Sequence, residues 1–500
     1  MKDLRKGEIR LQYSGFVMFF AKMLSVATGL AFTLMVTRTT TGQQLGIWSN
    51  INDVITYFAF LSLAFPFWTM RFVARNKEGA VKTGIVVNLI ISIIATVIYL
   101  PLVPLITSSL GISGNYIILY FIASMQIMEI YFLSVLESCL RAKIPQNIGY
   151  GLLIGESCKV LLAYILIIKF QQLLLGALLS LIIAFAIQII YYFKLLSKEL
   201  KQPIKWNYIK EWLKGSTVNI YRYAGGRIAA FTLIMLFIYG GEAARGQYQA
   251  ATTIASIILN SFFLSFALYP KLLAENSIQD ITTSLKTVLM FAIPMTVGAI
   301  ALSDSYLTIL NVIYKDAAPV LIVLAVSAFI QTSSLFFYYV LFGLEKIDEK
   351  AKIPLRKLAK SRLFIASSLN YAHSAITLPT TFYMLTIFTK NQPPLTAALS
   401  VAIIDMIARV AMFPVIYFIV RKTVKLNIPW KNITKYFVAS AVMALILFII
   451  PHPTRLSLTL GVTTVGGIIY LTLLMAIDKE ARALVNSIWQ EIKFKIKREI

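Results

Sequence analysis

GIVVNLIISIIATVIYLPLVPLIT, residues 84–107, carries no charged side chain, and its only polar groups are Asn88, Ser92, Thr96, Tyr99 and Thr107. At about 1.5 Å per residue a helix of this length reaches about 36 Å, enough to cross a hydrocarbon core of about 30 Å. Lipid offers backbone groups no hydrogen-bond partner, so a spanning segment is either a helix or a strand of a closed barrel. The run lacks the short alternating pattern a barrel strand needs, which leaves the helix. Working outward, comparable runs bounded by charges, Gly or Pro lie at 14–37, 47–70, 115–139, 147–168, 173–196, 216–239 and 247–269. They continue at 283–303, 317–342, 364–389, 395–420, 433–450 and 457–477. With 84–107 this makes about fourteen transmembrane helices, an all-α polytopic membrane protein. The first run is long and closely followed by a second, as a retained helix and not a cleaved leader would be.

Composition agrees: 58% of the 500 residues are apolar, 14% are charged, and the mean hydropathy is +0.76. No polar stretch between the runs is long enough to bury a core of its own. A net charge of +25 would raise nucleic-acid binding for a soluble chain. In a membrane protein, Lys and Arg instead mark the loops kept in the cytoplasm. With the N-terminus placed inside, cytoplasmic segments collect 36 of the 47 basic residues, the opposite loops hold six, and five lie within runs. That asymmetry places both termini in the cytoplasm and the protein in the cytoplasmic membrane. Cys139 and Cys158 lie in or beside apolar runs, and His373 and His452 have no nearby ligand residues in sequence. The expectation is therefore no metal, no cofactor and no nucleic-acid partner.

Two segments have the amphipathic pattern of interfacial helices. In 204–213, Ile209, Trp212 and Leu213 share one face while Lys205, Lys210 and Lys214 stay wet; in the tail, Leu484, Ile488, Ile492 and Ile496 recur at every fourth position. Gly46-Ile47-Trp48 and Gly246-Gln247-Tyr248 open the second and eighth runs, which end at Pro66 and Pro270 ahead of Arg71 and Lys271. Six runs separate them, so the repeat is parallel, about an axis along the membrane normal. The expected organisation is an N-terminal lobe at 1–196, an amphipathic linker at 197–215, a C-terminal lobe at 216–420, two further helices at 421–477 and a cytoplasmic tail at 478–500.

Ionisable groups inside spans cost several kcal/mol unless paired or wet, and so mark function. Glu156 with Lys159, and Asp405 with Arg409, have spacings that allow neutralisation on one helical face. Glu137 and Asp53 are close enough to span ends to reach headgroup water. Lys22, Arg222 and Arg227 have no acid within four residues, and Glu129 is the deep acid left over. Arg227 lies roughly 16 Å into its run at 1.5 Å per residue. Gly225 and Gly226, between the two arginines, and Pro294 in the ninth run are candidate hinges. A cationic interior suits an anionic headgroup, since Arg clamps phosphate through two parallel hydrogen bonds. Lys22, Arg222 and Arg227, with Lys159 and Arg409 as helpers, are the candidate substrate-binding residues; Glu129, Glu156 and Asp405 are candidate coupling acids.

The turn Thr41-Gly42-Gln43-Gln44-Leu45-Gly46-Ile47-Trp48 and the helix end Ala64-Phe65-Pro66-Phe67-Trp68-Thr69-Met70-Arg71 resemble the polysaccharide-transporter branch of the multidrug/oligosaccharidyl-lipid/polysaccharide (MOP, MATE-like) superfamily. Phe65 stands where that family usually has Gly. The resemblance implies a monomeric, bilayer-embedded flippase with no enzymatic activity. It would move polyprenyl-(pyro)phosphate-linked oligosaccharide between leaflets by alternating access of two lobes, driven by a coupling cation, H+ or Na+, and serve surface polysaccharide or protein glycosylation. A cation-coupled multidrug antiporter of the same superfamily is the first alternative and would need a cavity rich in unpaired acids. A membrane enzyme acting on lipid-linked sugars is the second; the short outer loops hold no paired carboxylates for it.

Overall fold

The computed structural model describes residues 11–39, 48, 51–52, 54–55, 58–109, 112–275, 279–310, 312–345, 361–424 and 426–483, and among them no strand occurs. The helices are α1 (Leu11–Thr39), α2 (Pro66–Ala74), α3 (Ala80–Ser109), α4 (Gly114–Lys143), α5 (Gln146–Ala163), α6 (Leu173–Leu195), α7 (Trp206–Met235) and α8 (Gly241–Leu259). They continue as α9 (Leu268–Glu275), α10 (Gln279–Ala301), α11 (Ser303–Leu310), α12 (Ala318–Leu344), α13 (Arg362–Tyr383), α14 (Pro394–Thr423), α15 (Trp430–Ile449) and α16 (Leu456–Ile477).

Among the described residues, ten helices are long and apolar enough to cross a membrane. The other four expected runs differ in character. Those at 14–37, 216–239 and 364–389 fall on α1, α7 and α13. The run at 47–70 passes through a 3₁₀ turn, Phe60–Leu63, into α2. Large apolar side chains stand exposed along the outside, among them Ile94, Val97 and Leu105 on α3, Leu445 and Ile449 on α15, and Ile468 on α16. A belt of that size fits lipid and not water.

The sequence repeat reappears in the backbone. The eighth run breaks into a 3₁₀ turn at Asn260–Ser265 before α9, as the second does at Phe60–Leu63 before α2. A π-helical turn ends α5 at Tyr164–Lys169 and α13 at Met384–Phe388, and another ends α7 at Leu236–Gly240. Pro294, Pro379 and Pro414 sit inside α10, α13 and α14 without ending them. One expectation changes: the amphipathic stretch is no separate interfacial helix but the opening turns of α7, which runs unbroken from Trp206 to Met235. Packing holds it straight there. Trp212 is fully buried with its ring 5.5 Å from Phe72, and Gly215 lies directly on the Trp68 ring. The tail from Leu484 onward lies outside the described residues.

The buried apolar residues divide unevenly along the bundle. At the end where Arg75, Lys143, Lys205 and Lys214 gather, here the basic end, one core joins Phe16, Phe19, Trp68, Phe72 and Leu140 to Leu264, Tyr269, Leu289, Phe336 and Phe342. At the other end the cores are separate. Ile51, Tyr99, Tyr120 and Leu178 form one, beside a smaller group around Phe32 and Ile167, while Met235, Ala251, Leu321 and Val401 form another. Among the described residues, the core shared by the first and second halves of the helical array is thus the one at the basic end. Helices gain little from hydrophobic burial against each other in lipid, so close packing must supply the contact. Glycine makes it: a Cβ on Gly15 of α1 would run into the backbone of Leu264. Gly29, further along α1, has no atom within 4 Å of its own would-be Cβ.

The pair α15–α16 packs on α10, where the Tyr470 hydroxyl donates to the Met290 carbonyl at 2.6 Å. Just past α16, fully buried Asp478 accepts from Asn432 Nδ2 at 3.0 Å and the Glu480 backbone N–H at 3.1 Å, and pairs with Lys435 at 3.3 Å. Burial works against its charge, but these donors outweigh it and hold the carboxyl below its ordinary value. A group depressed in the folded state contributes stability above its unfolded pKa, about 3.9 for Asp, and loses it as pH falls through the folded value. Melting temperature in detergent is therefore expected to fall as the medium is taken below about pH 4, and Asp478→Asn to remove that component of the fall. Gly15→Val is expected to lower the melting temperature by several degrees, with Gly29→Val neutral in the same assay.

Candidate functional site: a cationic, aromatic-lined seam

Where the halves meet, arginines lie between aromatic rings drawn from both. Arg71, fully buried on α2, donates to the Phe342 carbonyl at 2.6 Å, the Glu345 carbonyl at 2.5 Å and the Tyr269 hydroxyl at 3.3 Å. Arg75 adds a bond of 2.6 Å to the same Glu345 carbonyl. These carbonyls close α12, and the last carbonyls of a helix lack intrahelical donors and carry partial negative charge. Two cations from the first half thus cap a helix of the second.

Arg141, at the end of α4, donates through Nε to the Phe266 carbonyl at 3.2 Å and lies 4.1 Å from the Phe266 ring centroid and 4.7 Å from that of Tyr339. Arg222 on α7 stands over Tyr223, Phe67 and Phe342 at 4.9, 5.5 and 5.6 Å and donates to the Tyr223 hydroxyl at 3.1 Å. Lys22 on α1 lies 5.2 Å from the Phe263 ring. Among the described residues no carboxylate comes within ion-pair distance of Lys22, Arg141 or Arg222. Glu137, four residues before Arg141 on α4, accepts from Gln188 Nε2 at 3.4 Å. Cation–π contacts of this kind are worth about 0.5–2 kcal/mol each and leave the positive charge uncancelled.

The candidates read from sequence divide between this seam and the interior of each half. Lys22 and Arg222 are at the seam. Arg227 lies on α7, with its side chain outside the described set. Lys159 is paired with Glu156 at 2.6 Å, and Glu156 also accepts from Thr28 on α1 at 2.5 Å, so this pair ties α5 to α1. Arg409 binds Asp405 at 2.7 Å within the second half. Glu129 is buried, and its Oε2 has no hydrogen-bond partner among the described residues. Gly225 is a packing position, since a Cβ there would meet the Tyr371 ring at 2.7 Å; Gly226 faces open space. No group of three or more His, Cys, Asp or Glu that could hold a metal occurs among the described residues.

The helix order, the paired breaks and the one-ended meeting of the halves can be set beside known structures. A mutant MATE superposes with a TM-score of 0.65 at 15% identity, over 82% of this chain and 95% of that one. The fold is that of MATE transporters. A MOP-superfamily transporter from Pyrococcus furiosus, described as having a binding pocket of reversed polarity, gives 0.64 at 16% identity over 83% and 96% of the two chains. A multidrug-resistance MATE in an outward-facing conformation gives 0.62 at 16% identity over 82% and 95%. No family model matches the sequence, and no curated protein does.

Sequence reading missed Arg71 and Arg141 as seam residues, because their partners are carbonyls and rings more than a hundred positions away. The Pro66-to-Arg71 motif was the available signal. Within the MATE-like frame, Arg71 is expected to hold the basic end shut. Arg71→Gln should speed labelling of a cysteine placed at buried Ser265 several-fold, in a background lacking Cys139 and Cys158. Unchanged labelling would remove Arg71 from the closure.

Proposed function

We propose that this protein is a flippase that carries a polyprenyl-phosphate- or pyrophosphate-linked oligosaccharide across the cytoplasmic membrane, with its termini on the cytoplasmic side. The observation that carries this reading is the uncancelled positive charge of Lys22 and Arg222 between the halves of a MATE-like bundle. A phosphate headgroup supplies the missing anion, and Arg can grip it by two bonds where the dielectric is low. Arg227 follows Arg222 by five positions on the same helix; Lys159 and Arg409 already hold carboxylates and serve their own halves.

An amphiphile must also keep its tail in lipid. At the junction of α3 with α7, Phe65, Val87, Ile90, Ile91, Trp206, Ile209, Lys210 and Leu213 line an apolar groove of about 440 Å³. It lies beside the same seam, so a headgroup between the halves and a chain in the membrane are sterically compatible. Closure at the basic end corresponds to the stage of alternating access that releases cargo on the far side. Buried Glu129, with one oxygen unbonded among the described residues, favours a second reading, a cation-coupled multidrug antiporter.

Depletion in the native host separates the two: polyprenyl-linked oligosaccharide should accumulate facing the cytoplasm while surface glycan is lost. Arg222→Gln should reproduce that loss at normal protein level. Unchanged glycolipids with altered tolerance of cationic dyes would transfer the assignment to the antiporter.

A further inference from the structure

Both histidines of this chain lie against an aspartate. His452 Nδ1 is 2.7 Å from Asp304 Oδ1 in the loop before α16. His373, on α13, is inside the second half, with Nε2 3.3 Å from Asp405 Oδ1 on α14 and no hydrogen-bond geometry between them. The other oxygen of Asp405 is occupied: Arg409 Nε donates to Oδ2 at 2.7 Å and the Ser327 hydroxyl of α12 at 3.1 Å. Among the described residues, the other titratable or charged groups around this cluster are Tyr248 and Arg245 from α8 and Tyr338 from α12. From α7, on the other flank of α13, come Tyr221, stacked at 4.3 Å on Tyr371, and the Arg222 carbonyl, which accepts from Asn370 Nδ2 at 3.5 Å. The side chains of His373, Asp405 and Arg409 keep 14, 19 and 29% of their exposure, so the cluster is narrow but not sealed by protein.

We propose that His373 and Asp405 form a proton-binding site whose occupancy sets how α13 holds α7, and with it the Arg222 side chain at the seam. With a neutral imidazole, the charges of Asp405 and Arg409 cancel. A proton taken from water onto the imidazole makes Nε2–H a donor to the free Oδ1, and charge-assisted N–H···O bonds run about 2.7–2.9 Å. The contact then tightens by about half an ångström, drawing α13 toward α14. Tyr371, two residues from His373, transmits that movement: its ring lies against Gly225, and its hydroxyl donates to the Tyr221 carbonyl at 2.8 Å. Loss of the proton to water restores the first arrangement. The donor set argues for H+ over Na+, because a hard cation needs several oxygen ligands, and this site offers an imidazole and a carboxylate already gripped by a guanidinium. The site stands on its own geometry; its use as the energy input for transport rests on the reading given above.

The test needs no cargo, so it is independent of the glycolipid experiment. Full-length protein in lipid nanodiscs, labelled with ¹⁵N-histidine and carrying His452→Gln, has one imidazole to observe. Its signal is expected to titrate reversibly between pH 5 and 8, the window in which imidazole changes charge. Labelling of a cysteine at Ser265 should change several-fold over the same range, in the parent and in His452→Gln, but not in His373→Gln. An imidazole signal that stays fixed from pH 5 to 8, or a pH response of the seam that survives His373→Gln, overturns the proposal. The NMR arm leaves His373 intact and therefore decides the matter even where His373→Gln fails to fold.

Discussion

A guanidinium inside an apolar slab costs several kcal/mol unless it is given acceptors, and Arg71 takes them from the opposite half of the molecule. Its bonds to the Phe342 and Glu345 carbonyls satisfy two demands together, its own charge and the orphan acceptors at the end of α12. Because α2 and α12 belong to different halves, this one interaction decides which end of the bundle is shut. A pair of carboxylates could not do the same work, since a carboxylate cannot donate to a carbonyl. The aromatic rings around it, Phe67 and Trp68, add attraction that needs no counter-anion.

The seam is built twice. Gly15 on α1 lets it touch the 3₁₀ turn at Leu264, and Gly215, two hundred positions later on α7, lets it sit on Trp68 just beyond the matching turn at Phe60–Leu63. Ser216 beside it reaches the Ala64 carbonyl at 3.3 Å. Both contacts lie at the basic end, each between a glycine of one half and a residue in or just beyond a 3₁₀ turn of the other. A 3₁₀ turn is thinner than an α-helix and presents carbonyls at its surface, so it suits a place where a neighbouring backbone comes very near. At the far end, among the described residues, each half keeps its own core.

Much of this was legible along the chain. Apolar length marked the runs, because lipid punishes every exposed polar group and leaves few structures to choose from. Glu156 with Lys159 and Asp405 with Arg409 were readable because helix geometry brings positions three and four apart together. What escaped lies between helices. Glu137, set aside as a span-end residue, accepts from Gln188 on α6, fifty-one positions away. His373 looked solitary because its aspartate is on the next helix, beyond a turn. The opening of α7 has an amphipathic pattern whether it lies flat on the membrane or, as here, leads straight into a span; only the packing of Trp212 on Phe72 separates the two.

The electrostatics of the seam and of the two interiors follow different rules, and the difference bears on what can move. Inside each half, cations are neutralised locally, Lys159 by Glu156 and Arg409 by Asp405, so that half can shift as a unit without exposing charge to lipid. At the seam, Arg71 and Arg141 bond carbonyls, while Lys22 and Arg222 rest on rings. Opening the basic end would strip Arg71 of its α12 acceptors and leave a cluster of positive charge facing whatever enters. Water can solvate that cluster, but a multivalent anion does so with less ordering of separate molecules and with stronger bonds. The residues that join the halves in this structure are thus the ones whose positive charge would be exposed once the halves part.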